Sequence, residues 1–400
     1  MAISTVVDRY APPPTLARVQ TVGLVVGLAA LAGAAFTFAG ERAYFFKGYL
    51  LGVVFWTGVS LGCLAFSMVH HLSGGAWGVV SRRVFEAASR TVPLMAVLFV
   101  PFAFGLADVY LWARPDAVQA DPALQHKASY LNVGFFLLRA TLYFVAWSVL
   151  ALVLSRWSLQ QEHGDADDRL SLRMQRVSGG GIVLYALTVF FMSVDWMMSL
   201  DPHWFSTIYG MLFMVNQGLS ALAFTIAVLV LLARIEPMGR VIAPAHLHDL
   251  GKLMLAFVML WAYLTFSQFL IVWSANLPEE IPWYLTRMQG GWGYVSVALI
   301  VFHFFVPFLL LLNRDLKRQG SLLVAVACWI LVMRLVDLFW LIGPLHGEGP
   351  LRVHLADVLA PIGIGGLWMA VFAWQLRSRA LLPLGEPYLQ NALEHGRHGH

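Results

Sequence analysis

Residues 292–313 read WGYVSVALIVFHFFVPFLLLLN. The stretch holds no Lys, Arg, Asp or Glu, and its one histidine, His303, stands four residues before Pro307. About 20 consecutive apolar residues, wound as a helix, cross roughly 30 Å of hydrocarbon. Alternation of apolar and polar residues, the mark of a barrel strand, is absent. The stretch reads as a membrane-spanning helix. Nine more runs of the same kind lie to either side, near 17–39, 47–70, 92–112, 131–155, 179–199, 204–233, 250–273, 321–343 and 354–376. The chain of 400 residues is 59% hydrophobic and 12% charged, against about 25% charged in soluble domains. The expected fold is an all-α polytopic membrane protein of about ten spans. Nucleic-acid binders, Rossmann enzymes and disulfide-stapled secreted modules are excluded.

Charge orients the spans. With ten of them, the N-terminus, the even-numbered loops and the C-terminus share a side, and they carry 18 of the 26 Lys and Arg. The opposite loops carry six, and Arg139 and Arg334 fall inside spans. Positive charge marks the cytoplasmic side, so both termini are expected there. Asp8 and Pro12–Pro13–Pro14 ahead of a full-length first run argue against a cleaved signal. The expected organisation is a cytoplasmic segment 1–16, a first membrane half 17–155, a charged cytoplasmic loop 156–178, a second half 179–376 and a polar tail 377–400. That tail ends in a His-rich run from His395 to His400, read as a solvated, disordered end rather than a metal site.

Ionisable groups inside hydrocarbon cost about 2.5–3.5 kcal/mol each on insertion scales, so each needs a partner, water or a function. Asp108, Arg139, Asp195, Arg334, Asp337 and Asp357 are such groups, concentrated toward the outer half. Arg334 and Asp337, spaced i,i+3, can pair on one helix, and Arg139 can pair with Asp108 or Asp195. The set reads either as mutual neutralisation or as one outward-opening polar cavity that passes protons or accepts a redox headgroup. Asp195 stands out because no basic residue lies at i+3 or i+4 to it. Asp201-Pro202 reads as a helix N-cap followed by proline at the first helical position. Trp196, Trp204 and Phe205 read as an interfacial belt. On the cytoplasmic side His248, Asp249 and Lys252 mark an inward mouth, with Gln268 and His303 between the two ends. The two cysteines, Cys63 and Cys328, form no C-x-x-C, so neither an iron–sulfur cluster nor a c-type haem is encoded. No histidine matches His303 in depth, so the expectation is no b-type haem and no metal.

Three strings then carry a resemblance: Ser193 to Thr207 (SVDWMMSLDPHWFST), Gly251 to Phe269 with Trp261-Ala262-Tyr263 and Phe266-Ser267-Gln268-Phe269, and the Leu277–Arg287 loop (LPEEIPWYLTR). Over nearly its whole length the sequence resembles the F-type integral membrane subunit of bacterial alternative complex III, within the NrfD/polysulfide-reductase-like family. The resemblance implies two four-helix bundles, spans two to five and six to nine, flanked by spans one and ten. It implies membership of a quinol:electron-acceptor oxidoreductase in the bacterial cytoplasmic membrane. The implied partners are a C-type membrane subunit, a multihaem cytochrome c, an iron–sulfur subunit and further membrane subunits. Haem and clusters are expected only in those partners, and a quinone such as menaquinone is the candidate ligand here.

Overall fold

Backbone polar groups find no water in hydrocarbon, so each apolar run closes its own hydrogen bonds as a helix. The computed structural model describes residues 10–163, 168–344 and 350–398. Among them ten helices are long and apolar enough to cross a membrane, and no strand occurs. They are α1 (Thr15–Phe38), α2 (Arg42–Ser73), α3 (Ala76–Ala103), α4 (Val133–His163) and α5 (Asp168–Trp196), then α6 (Tyr209–Leu232), α7 (Pro244–Ala275), α8 (Trp292–Leu312), α9 (Gly320–Ile342) and α10 (Leu355–Arg377). The chain is a multi-pass all-α membrane protein.

Helices α2, α3, α4 and α5 pack in a ring, and α6, α7, α8 and α9 pack in a second. The rings meet where α6 lies on α2 and α5. In a bilayer close approach of backbones replaces the hydrophobic drive between helices. At that seam a Cβ added to Gly62 would stand 2.2 Å from the Gln217 carbonyl oxygen, so only glycine fits. Helix α10 packs on α2 and, over its length, on α1. A Cβ on Gly27 of α1 would stand 2.7 Å from the backbone nitrogen of Leu367. The Leu381 N–H donates to the Tyr10 carbonyl at 3.0 Å, which puts the two chain ends on one side.

Four expectations need correction. The third span is not 92–112 but begins at Ala76 and ends at Ala103. Its Arg82, Arg83 and Glu86 look like loop charges, yet all three are buried and satisfy one another. The 156–178 loop is mostly helix: α4 runs on to His163 and α5 begins at Asp168, while Asp165 and Asp167 lie outside the described residues. The tail is docked. Glu386 pairs with Arg82, and α11 (Leu389–His398) offers the Ala392 carbonyl to His246 Nε2 at 3.0 Å. Residues 399–400 lie outside the described part. Finally, Asp201-Pro202 starts no helix, because α6 begins at Tyr209.

Candidate functional site

The charged residues expected to line one cavity fall into four separate settings. In the first bundle α4 and α5 run antiparallel as neighbours, which brings Arg139 to Asp195. Arg139 Nε and Nη2 each donate to an Asp195 carboxylate oxygen at 2.9 Å, and Tyr143 Oη donates at 2.7 Å. The guanidinium also stacks over the Tyr130 ring at 3.9 Å. Burial, then the Asp195 charge, pushes the Tyr130 phenol above its ordinary value and keeps it neutral. The bidentate fork supplies Asp195's missing partner from a neighbouring helix. Trp196 and Trp204 are buried rather than interfacial, while Phe205 is exposed.

Asp108 is also corrected. It lies beyond α3 in an outer four-residue helix and accepts from Arg42 Nε at 2.8 Å, partly exposed. Asp357 caps α10, its Oδ2 accepting the His354 N–H at 2.9 Å. Neither borders Asp195 or Asp337 in a common cavity. Gln268 sits at the outer end, not between the ends, bonded to Ser206 Oγ at 3.1 Å and Tyr284 Oη at 3.2 Å. On the inner side Asp249 accepts from Lys252 Nζ at 3.2 Å and meets His395 Nε2 at 3.0 Å, so the tail covers part of the expected mouth.

A wholly uncharged space of about 530 Å³ lies between α3 and α4 of the first bundle, but the second bundle holds the cavity that reaches charged groups. A space of about 410 Å³ opens between α7, α8 and α9 in their outer halves. Phe266, Met288, Ile300 and Phe305 at its rim are 60%, 54%, 53% and 49% exposed, so it opens onto the lipid-facing side. Its lining is almost wholly apolar, with a few polar groups on the inner wall. Asp337 lines it and pairs with Arg334 one turn back on α9. The Trp261 indole N–H approaches Asp337 without completing a hydrogen bond. Trp340 Nε1 donates to Ser296 Oγ at 2.8 Å. Tyr284 and Arg287, from the Leu277–Arg287 segment, close the outer end, so that loop is a lid.

His303 stands behind this wall, fully buried, its ring edge-on to Trp261 at 4.3 Å. Both of its ring nitrogens lack a hydrogen-bond partner among the described residues. It lies in a π-helical turn, Leu299–Phe305, within α8. Such turns occur where a helix must re-aim side chains, frequently at functional sites.

Arg287 escapes a search by span, since it belongs to a loop. Its guanidinium is buried, stacked on Trp283 at 3.7 Å, with Nη1 donating to the Trp283 carbonyl at 3.0 Å and Nη2 to Leu341 at 2.8 Å. No carboxylate pairs with it among the described residues, and its Nε is unpartnered. Burial lowers its pKa to about 10, so it remains a cation at neutral pH. Burial likewise pushes the neighbouring Tyr284 phenol up to about 12. Arg287 also lines a second, more polar outer pocket of about 400 Å³ with Asp201, His203 and Tyr209. From there His203 Nε2 reaches Asp121 at 2.6 Å on the surface. One buried cation therefore separates a lipid-side cavity from an outer vestibule.

Among the described residues no group of three His, Cys, Asp or Glu is placed to hold a metal ion. No protein-family model matches the chain, and a search of curated proteins finds no match.

Proposed function

We propose that the chain is an integral subunit of a quinol-oxidising complex of the alternative complex III kind, in a bacterial cytoplasmic membrane, and that its second bundle receives a quinol headgroup. One observation carries the reading: an apolar cavity open to lipid ends on Asp337, itself paired with Arg334, and on Tyr284 and Arg287. A quinol enters hydrocarbon-side with its isoprenoid tail left outside, and its two hydroxyls need buried acceptors and donors. Asp337 is the proton acceptor in reach of such a ring, and Arg334 holds its carboxylate in place. Arg287, a cation with no acid of its own, favours the ring oxygen that has lost its proton. Protons then leave past Arg287 to the vestibule of Asp201 and His203. Each quinol gives two electrons and two protons, and the electrons go to an iron–sulfur or haem group of a partner subunit. Arg139–Asp195 in the first bundle has the bonding of a structural pair, and its role is assembly.

The test is purification of the tagged protein from its own membrane. Co-elution with haem-bearing subunits and quinol-oxidising activity is expected. A lone oligomer without haem would overturn the reading and favour an ion-coupled transporter. Ala262→Trp, which fills the cavity, should leave the complex assembled while reducing quinone-analogue binding at least tenfold. Unchanged binding in that variant would remove the cavity from the mechanism.

A further inference from the structure

On the cytoplasmic side, far from the cavity, the connection between α8 and α9 forms a short helix, Arg314–Arg318, that packs on α7. The Lys317 stem crosses Gly251: a Cβ there would stand 2.8 Å from Lys317 Cγ and 3.1 Å from its Cδ. The glycine makes the notch that lets this lysine lie down, and Lys317 is only 6% exposed. The stem thus lies beside the next residue of α7, Lys252, with His248 one turn earlier on the same helix. His248 lies within electrostatic range of Lys252, Lys317 and Arg314 together. Lys317 lies within range of Lys252 as well.

Like charges held this close repel, and a fold gains nothing by gathering them alone. The nearby acids do not balance them. Asp249 is already shared between Lys252 and His395. Asp315 makes no ion pair among the described residues, nor does Lys317. His248 Nδ1 is buried and has no hydrogen-bond partner among the described residues. The inner basic cluster of α3 differs, since there Glu86 accepts from Arg82, Arg83 and Arg379. What the α7 cluster lacks is an anion with several acceptor oxygens.

We propose that His248, Lys252, Arg314 and Lys317 form a phosphate-binding site at the cytoplasmic ends of α7 and α8. Tetrahedral phosphate offers an oxygen to each ammonium and to the imidazole, and these charge-assisted bonds are the strong class. The last turns of α8 immediately before the site expose Leu309 and Leu312 at 62% and 54%. That surface suits the acyl chains of a phospholipid whose headgroup reaches the cations, with the inner leaflet supplying the negative charge.

Thermal unfolding of the full-length purified protein tests this. Phosphatidylglycerol, zwitterionic phosphatidylcholine and inorganic phosphate are titrated separately. Saturable protection by phosphatidylglycerol but not phosphatidylcholine is expected, and identifies a lipid phosphate. Protection by inorganic phosphate alone supports the same site with a soluble ligand. Protection by none of the three overturns it. Lys317→Met should raise the half-saturating concentration about tenfold, the loss of one charge-assisted contact. Because Lys317 is buried and its loss could disturb packing, Lys252→Gln provides the second variant: its side chain is 57% exposed, and the same shift is expected without change in the ligand-free melting temperature. Protection unaltered in both variants overturns the proposal.

Discussion

Asp195, the penultimate residue of α5, and Asp337, five residues from the end of α9, each face an arginine, yet their surroundings separate them. Asp195 accepts three hydrogen bonds from Arg139 and Tyr143, so its charge is compensated. Asp337 accepts from Arg334 alone and borders an open cavity. Removing one member of a buried pair leaves the other charged and unpaired, at about 3–5 kcal/mol. Asp195→Asn should therefore lower the melting temperature and the yield of folded protein. Adding Arg139→Gln should restore much of it, and quinol oxidation of the kind proposed above should run at nearly the wild-type rate per assembled complex. Melting curves and specific activity of the single and double variants check this. A stable, slow Asp195→Asn variant would make Asp195 a proton carrier instead. Arg334–Asp337 was legible from sequence because i,i+3 spacing on one helix fixes proximity. Arg139–Asp195 was left open against Arg139–Asp108, since pairing across helices depends on which neighbours touch.

Helix α3 marks where reading by element fails. Its inner half carries Arg82, Arg83, Glu86 and Arg90, a density of charge that hydropathy assigns to a loop. Arg82, Arg83 and Glu86 remain helical and buried because acids arrive from elsewhere: Glu162 from α4 meets Arg83, and Glu386 from the tail meets Arg82. A reader of the sequence has no means of bringing residue 386 to residue 82. The number of spans is legible, and so is the place of every span but the third, because apolar length alone dictates a helix in hydrocarbon. The π-turn around His303 was not, since it is set by backbone register and not by residue type. Glu86 is the keystone of the α3 cluster, with Arg82 Nε at 2.9 Å, Arg83 Nη1 at 2.5 Å and Arg379 Nη1 at 3.4 Å. Glu86→Gln leaves several buried guanidiniums short of an acid. It should destabilise the protein by about 3–5 kcal/mol. The surface pair Arg240–Glu236, broken by Glu236→Gln, should cost about 0–1 kcal/mol. Comparing the two melting temperatures decides the point, and equal losses would refute it.

For the whole molecule, the two chain ends share a side and the positive charge falls mostly on that side. A membrane-impermeant thiol reagent applied from outside should label a cysteine placed at Glu279 and miss one placed near Asp165. The reverse pattern would invert the molecule and move the cavity to the inner leaflet. The pairing of α1 with α10 has a consequence for synthesis. Helix α1 is made before α10, with eight spans between them, yet the two fit backbone to backbone through Gly23, Gly27 and Gly366. Chains grow from the N-terminus at about 5–20 residues per second. Helix α1 therefore waits in the bilayer, its glycine face without its mate, until α10 has been translated. A nascent chain arrested before Gly366 would present that face to any other small-residue helix nearby.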